Sequence, residues 1–208
     1  MRRETPASPP FRSHLDLNLA LGFAGLIAAF LVVFFTVPAF FDWAFQRHQN
    51  LLSWVARPLL VLPLCYAAWR RSLSGVLASI LAILTSMFWF PVPDTPVEQV
   101  RGFLAMERAF LTQGWTGQTL FGAGAVLAYT VALVAAFWHH SWGLGFAVAA
   151  LGALLKGAWS LLFSPDAGQA VLPFALGGVV VLGLTVLALS RRTSGGRRNR
   201  SKEGAPNP

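Results

Sequence analysis

The sequence predicts an all-α fold, a polytopic membrane bundle of six transmembrane helices. A short amphipathic helix is expected at the interface between the third and fourth. Three observations lead there. Of the 208 residues, 55% are hydrophobic and only 12% charged, about half the charged fraction usual in a soluble domain. The charges leave long gaps, from Asp16 to Asp42, Arg71 to Asp94, Arg108 to Lys156 and Asp166 to Arg191. About 20 apolar residues suffice to cross a bilayer as a helix. The basic residues also fall unevenly between the two ends of the predicted spans, as the positive-inside rule requires.

The spans are expected at about 17–41, 51–69, 72–90, 119–138, 142–163 and 168–189. The first follows MRRETPASPPFRSH, whose basic start resembles a signal peptide. Its apolar run is too long for a signal h-region of about 7–15 residues, and no A-x-A site follows, so it is read as a retained span. The second contains Pro58 and Pro63 and is expected to kink. The gap between Ala109 and Leu155 exceeds two crossings, and HHSWG at 139–143 is its polar break. Residues 1–15 are expected to form a flexible basic N-terminus, 16–190 the transmembrane domain, and 191–208 a disordered basic tail. With the N-terminus cytoplasmic, eleven Lys and Arg fall inside, three outside (Arg47, Arg101, Arg108), and Arg57 and Lys156 within spans. Both termini are therefore expected in the cytoplasm of a cell whose inner membrane holds the chain. Trp43, Trp54, Trp89 and Trp115 at outer ends and Trp69, Trp138 and Trp142 at inner ends suit tryptophan's interfacial preference.

Small residues suggest which faces pack. The fourth span has Gly124, Ala128, Ala132 and Ala136, and the fifth has Gly145, Ala149, Gly152 and Ala153. These two are expected to form a tight antiparallel pair. Ala20, Ala24 and Ala28 make a third seam, and such seams could seat a membrane-protein partner. A three-plus-three inverted repeat is conceivable for six spans, but the halves share no similarity and no repeat is inferred.

Between the third and fourth spans, Thr95-Pro96-Val97-Glu98 has the form of a capping box. A helix should then run over about 95–113, ended by Gly114. At 100° per residue, Val97, Val100, Phe103, Leu104 and Leu111 share one face, and Glu98, Arg101, Ala105, Arg108 and Thr112 the other. Glu107 falls on the apolar side, where a lone carboxylate is costly.

Two cations inside the spans are its expected partners. Lys156 shares a helical face with Gly145, Ala149 and Gly152. Arg57 shares one with Asn50, Ser53 and Ala68. Intramembrane charges of this kind usually face the bundle interior and pair. Glu107, Lys156 and Arg57 are thus the candidate charge cluster or anion site. One carboxylate cannot neutralise two cations, so a second acid (Asp42, Asp94, Glu98 or Asp166) or an outside anion is expected to share it.

The net charge of +8 does not indicate nucleic acid, since six of the sixteen basic residues lie in the tail RRTSGGRRNRSK. That tail is expected to meet anionic lipid headgroups. The single cysteine, Cys65, excludes an internal disulfide. No P-loop, G-x-S-x-G or H-E-x-x-H occurs. Ser72-Leu-Ser-Gly75 resembles the rhomboid serine motif without its first glycine, and His14, Asp16, His139 and His140 read as polar residues at a wet turn. No catalytic residue, metal site or cofactor is assigned.

FWFPVPDTP, FLAMER and LLKGAWSLLF together resemble segments of a family of small uncharacterised bacterial multi-pass membrane proteins. The resemblance implies an inner-membrane setting and transfers no functional residue. In size and helix count the chain is also similar to the substrate-capture subunits of energy-coupling-factor vitamin transporters, and the Ala20/Ala24/Ala28 seam resembles their docking motif. The favoured function is a structural or accessory membrane component. Its rivals are a carrier or capture subunit for a small anion, and an intramembrane enzyme using Glu107 on a lipid-linked substrate.

Overall fold

A computed structural model describes residues 11–163, 173, 176–185 and 187. Every regular element among them is helical: α1 (Phe11–Thr36), α2 (Pro38–His48), α3 (Leu51–Trp69), α4 (Leu73–Thr85) with a 3₁₀ turn (Ser86–Phe88), α5 (Glu98–Thr112), α6 (Gly117–Trp138) and α7 (Trp142–Phe163). Residues 176–185 are helical as well. Four stretches are long and apolar enough to cross a membrane, 14–36, 51–69, 117–138 and 142–159. The chain is thus all-helical and built like an integral membrane protein. Leu21, Leu26, Val32 and Phe35 of α1, Phe121, Val126 and Leu127 of α6, and Leu151, Leu154 and Leu155 of α7 point outward. A water-exposed surface rarely carries so much contiguous apolar area, whereas lipid demands it.

Three predicted boundaries move. The first span does not run unbroken to residue 41, because α1 stops at Thr36 and Pro38 opens α2. Proline holds its predecessor out of the helical region, and Val37 has φ −111° and ψ 96°. The third is shorter than expected: α4 ends at Thr85 and tightens into the 3₁₀ turn. The capping box does not form either. The N-cap of α5 is Val97, with no side-chain bond. A Thr cap contributes only about 1 kcal/mol, and the linker before α5 is held instead by Arg47 Nε donating to the Phe88 carbonyl (2.8 Å) and Asn50 Nδ2 to that of Pro91 (2.9 Å). Gly114, at φ +83°, does follow the end of α5. Asp166, the N-terminal ten residues and the basic tail lie outside the described residues.

At one end of the bundle the α3–α4 and α6–α7 turns lie together. Arg71 Nε donates to the Trp138 carbonyl at 3.1 Å, and Trp69 stacks on Trp142 with centroids 4.0 Å apart. The two turns are built alike. Arg71 and His140, 69 positions apart, both adopt positive φ, 54° and 59°. In each, this residue's N–H bonds the carbonyl three back (Ala68, Phe137), and the following serine's N–H bonds the one five back (Ala67, Ala136). This is the Schellman closure. The sequences, Ala67-Ala68-Trp-Arg-Arg-Ser and Ala136-Phe137-Trp-His-His-Ser, match in register. So the chain carries a local likeness between two helical hairpins, though the sequence reading found none. Because α3 and α6 pack side by side and end at adjoining turns, the hairpins run parallel rather than inverted.

α6 and α7 pack as an antiparallel pair, but of the seam predicted on α6 only Ala136 is buried. Gly124, Ala128 and Ala132 are exposed, and Leu133, Ala136 and Phe137 are buried with half-buried Tyr129. A Cβ added at Gly145 would lie 2.6 Å from the Phe137 ring, and one at Gly152 2.1 Å from that of Tyr129. Aromatic knobs on α6 therefore fill glycine gaps on α7. The close backbone approach that small residues permit is used on one side only. On α1, Ala20 is buried while Ala24 and Ala28 are exposed.

Asp16 of α1 completes α4. Its carboxylate accepts from Ser72 Oγ (2.8 Å), Ser74 Oγ (2.6 Å) and the N–H groups of Leu73 (2.9 Å) and Ser74 (3.3 Å). These are orphan donors of a helix start, where negative charge is favourable. Ser72 and Ser74 are thus occupied structurally. No metal-binding group of three or more His, Cys, Asp or Glu exists among the described residues.

Candidate functional site

The opposite end is capped by α5. Val100, Phe103 and Leu104 are almost fully buried, against Phe34, Phe41, Ala44, Phe45, Trp54 and Met87. Burying such a side chain contributes about 1.5–3 kcal/mol, so α5 is held on protein rather than on lipid alone. Its other face is exposed, as the wheel requires: Glu98 pairs with Arg101 at 3.2 Å, and Arg108 pairs with Asp42 of α2.

Beneath this cap the charged residues gather. Glu107 Oε1 lies 4.0 Å from Lys156 Nζ of α7. The ammonium also sits 5.1 Å from the centre of the Phe103 ring, within cation–π range. Lys156 is not enclosed by the bundle: its side chain is 49% exposed against 28% for Glu107, and it stands at the rim of the α7 packing face. Arg57, on α3, is half-buried and close enough to Glu107 to feel its charge. Its Nε is buried with no hydrogen-bond partner among the described residues.

Of the further acids considered, Asp42 and Glu98 are engaged by surface arginines. Asp94 is exposed on the linker, and Asp166 lies outside the described residues. Among the described residues, Glu107 alone meets Lys156 in an ion pair.

His48, which composition and spacing did not single out, is the cluster's hidden member. It is 2% exposed, bonds Ser53 Oγ through Nδ1 at 2.8 Å and stacks on Trp54 with centroids 5.5 Å apart. Its carbonyl accepts from Trp54 Nε1 at 2.9 Å. Burial, aided by the Arg57 guanidinium, pushes its imidazole down to about 2. It is therefore neutral at ordinary pH and adds no charge. The signal for it was slight: a histidine at a helix end five residues before a serine that shares the face of Arg57.

Two cavities of about 290 and 300 Å³ lie away from the cluster. One is lined by Leu62, Pro63, Cys65, Tyr66, Phe137 and Trp142 with residues of 176–185, and is apolar. The other is an open surface groove between α2 and α5. Neither is lined by Glu107, Lys156 or Arg57.

Chemically, Glu107, Lys156 and Arg57 can bind an anion or fasten helices, and the hydroxyl beside an imidazole nearby, Ser53 at His48, is fully buried. No family model, no curated protein and no solved structure matches this chain.

Proposed function

We propose that the chain is a structural or accessory component of a cell (inner) membrane, crossing it six times with both termini in the cytoplasm. In this reading α5 is the extracytoplasmic cap, and Glu107 ties it to the transmembrane helices. The observation that carries the reading is the reach of Glu107 from the cap to Lys156 on α7, 4.0 Å away, with Arg57 of α3 close by. One cap residue thus reaches α7 and lies within the field of a cation on α3. The polar groups elsewhere are used in the same way: Asp16 closes α4, Asp42 holds Arg108, and Arg47 and Asn50 hold the linker. The exposed Gly124, Ala128 and Ala132 of α6 would suit a partner helix.

Thermal unfolding in detergent tests this. Glu107→Gln should lower the midpoint clearly and Lys156→Met slightly. If both variants unfold at the wild-type temperature, the cap is not fastened by this acid and the reading falls. The rival role, a carrier for a small anion, would instead require soluble acids to raise the midpoint.

A further inference from the structure

Counting charge beneath the cap leaves a remainder. Arg57 and Lys156 are cations, Glu107 is the one acid near them among the described residues, and Asp42 and Glu98 are already paired elsewhere. His48 is enclosed against Ser53 and Trp54 and contributes nothing. The buried Arg57 Nε–H has no acceptor among the described residues. A buried guanidinium N–H without an acceptor is costly, and with two cations beside one described acid a further oxygen that carries negative charge suits the place.

The place limits what can supply it. Arg57 lies six residues into α3 and Lys156 seven residues from the end of α7, which puts each about 10 Å inside its helix end. Lys156 is half-exposed, beside outward-facing Leu151, Leu154 and Leu155. The Lys156 side of the cluster therefore faces the acyl region, at a depth where a lysine reaches up toward headgroups.

We infer that Arg57 and Lys156 hold the phosphodiester of a membrane phospholipid, with Glu107 opposite it. Guanidinium and ammonium together are the common donors to phosphate oxygens. The charge also closes: two cations, one carboxylate and a diester carrying one negative charge sum to zero. Free phosphate, between one and two charges at neutral pH, would overshoot. The inference rests on the membrane reading above and adds a bound lipid to it.

The full chain, extracted in a neutral detergent and stripped of lipid, is titrated with dioleoylphosphatidylglycerol, inorganic phosphate or dioleoylglycerol. Unfolding temperature and native mass spectrometry are the readouts. The phospholipid should raise the midpoint saturably and remain bound, and dioleoylglycerol should not. Lys156→Gln, a change at an exposed side chain, should weaken the affinity about tenfold or more, the size of one lost charge-assisted hydrogen bond. Arg57→Lys, which keeps the charge but not the fork, should weaken it too. Equal lipid binding by wild type and both variants overturns the site, as does protection by inorganic phosphate alone, which would point to a soluble anion. Failure of the membrane reading looks different: the chain would then leave cells without detergent.

Discussion

Glu107 stands between two cations of unequal burial, and this inequality sets the cost of each change. Removing the acid leaves the half-buried Arg57 without a counter-charge. Loss of one partner from a fully buried pair costs about 3–5 kcal/mol, so with partial exposure Glu107→Gln should cost about 1–3 kcal/mol. Lys156, half in the open, should cost less than about 1 kcal/mol, as exposed pairs do. His48 makes a separate prediction through pH. Its folded value is pushed to about 2 from an ordinary 6.5, so below 6.5 the unfolded chain binds a proton that the native one does not. Stability from this residue is therefore complete above about pH 6.5 and is lost as pH falls. Between pH 7.5 and 5.5 the loss should be about 1 kcal/mol, seen as a falling unfolding midpoint that flattens in His48→Gln. Glu107 and its cations were legible in the sequence because charge on an apolar face is rare. His48 was not, because its meaning comes from Ser53 and Trp54 folding back over it.

At the scale of elements, the α6–α7 pair shows why small-residue stripes mislead. The stripe on α7 marks a true approach, since Gly145 and Gly152 receive the Phe137 and Tyr129 rings. Of the stripe on α6 only Ala136 is covered, and Gly124, Ala128 and Ala132 have nothing opposite them among the described residues. Periodicity reports where a backbone can come close, and only the partner's knobs decide whether it does. Phe137 is wholly enclosed and has no room to yield, so Gly145→Ala should cost about 1–3 kcal/mol by overpacking. The same change at exposed Gly124, which has open space around it, should leave the midpoint within about 0.5 kcal/mol. Calorimetry in detergent would compare the two. The amphipathic face of α5 was legible for the opposite reason, since Val100, Phe103 and Leu104 needed only a cover and aromatic residues of α1–α3 supply it. Its capping box was a local signal outweighed by tertiary ties to the linker.

For the whole molecule, helical class and lipid-facing character were written in composition, and four apolar helices carry them. The six-crossing count rested on hydrophobicity alone, and α4 is shorter than that reading expected. The described basic residues divide by ends, with Arg70, Arg71, His139 and His140 at one and Arg47, Arg101 and Arg108 at the other. In a Cys65→Ala background, Gln113→Cys should react with an impermeant maleimide on intact cells, and His139→Cys only after permeabilisation; the reverse pattern would invert the proposed orientation. The Asp16 clasp has a consequence for how such a chain is made. Its acceptor oxygens leave the ribosome 56 residues ahead of the serine they bind. The clasp can therefore close only once α4 has been made, and that short helix then finds its anchor already in place.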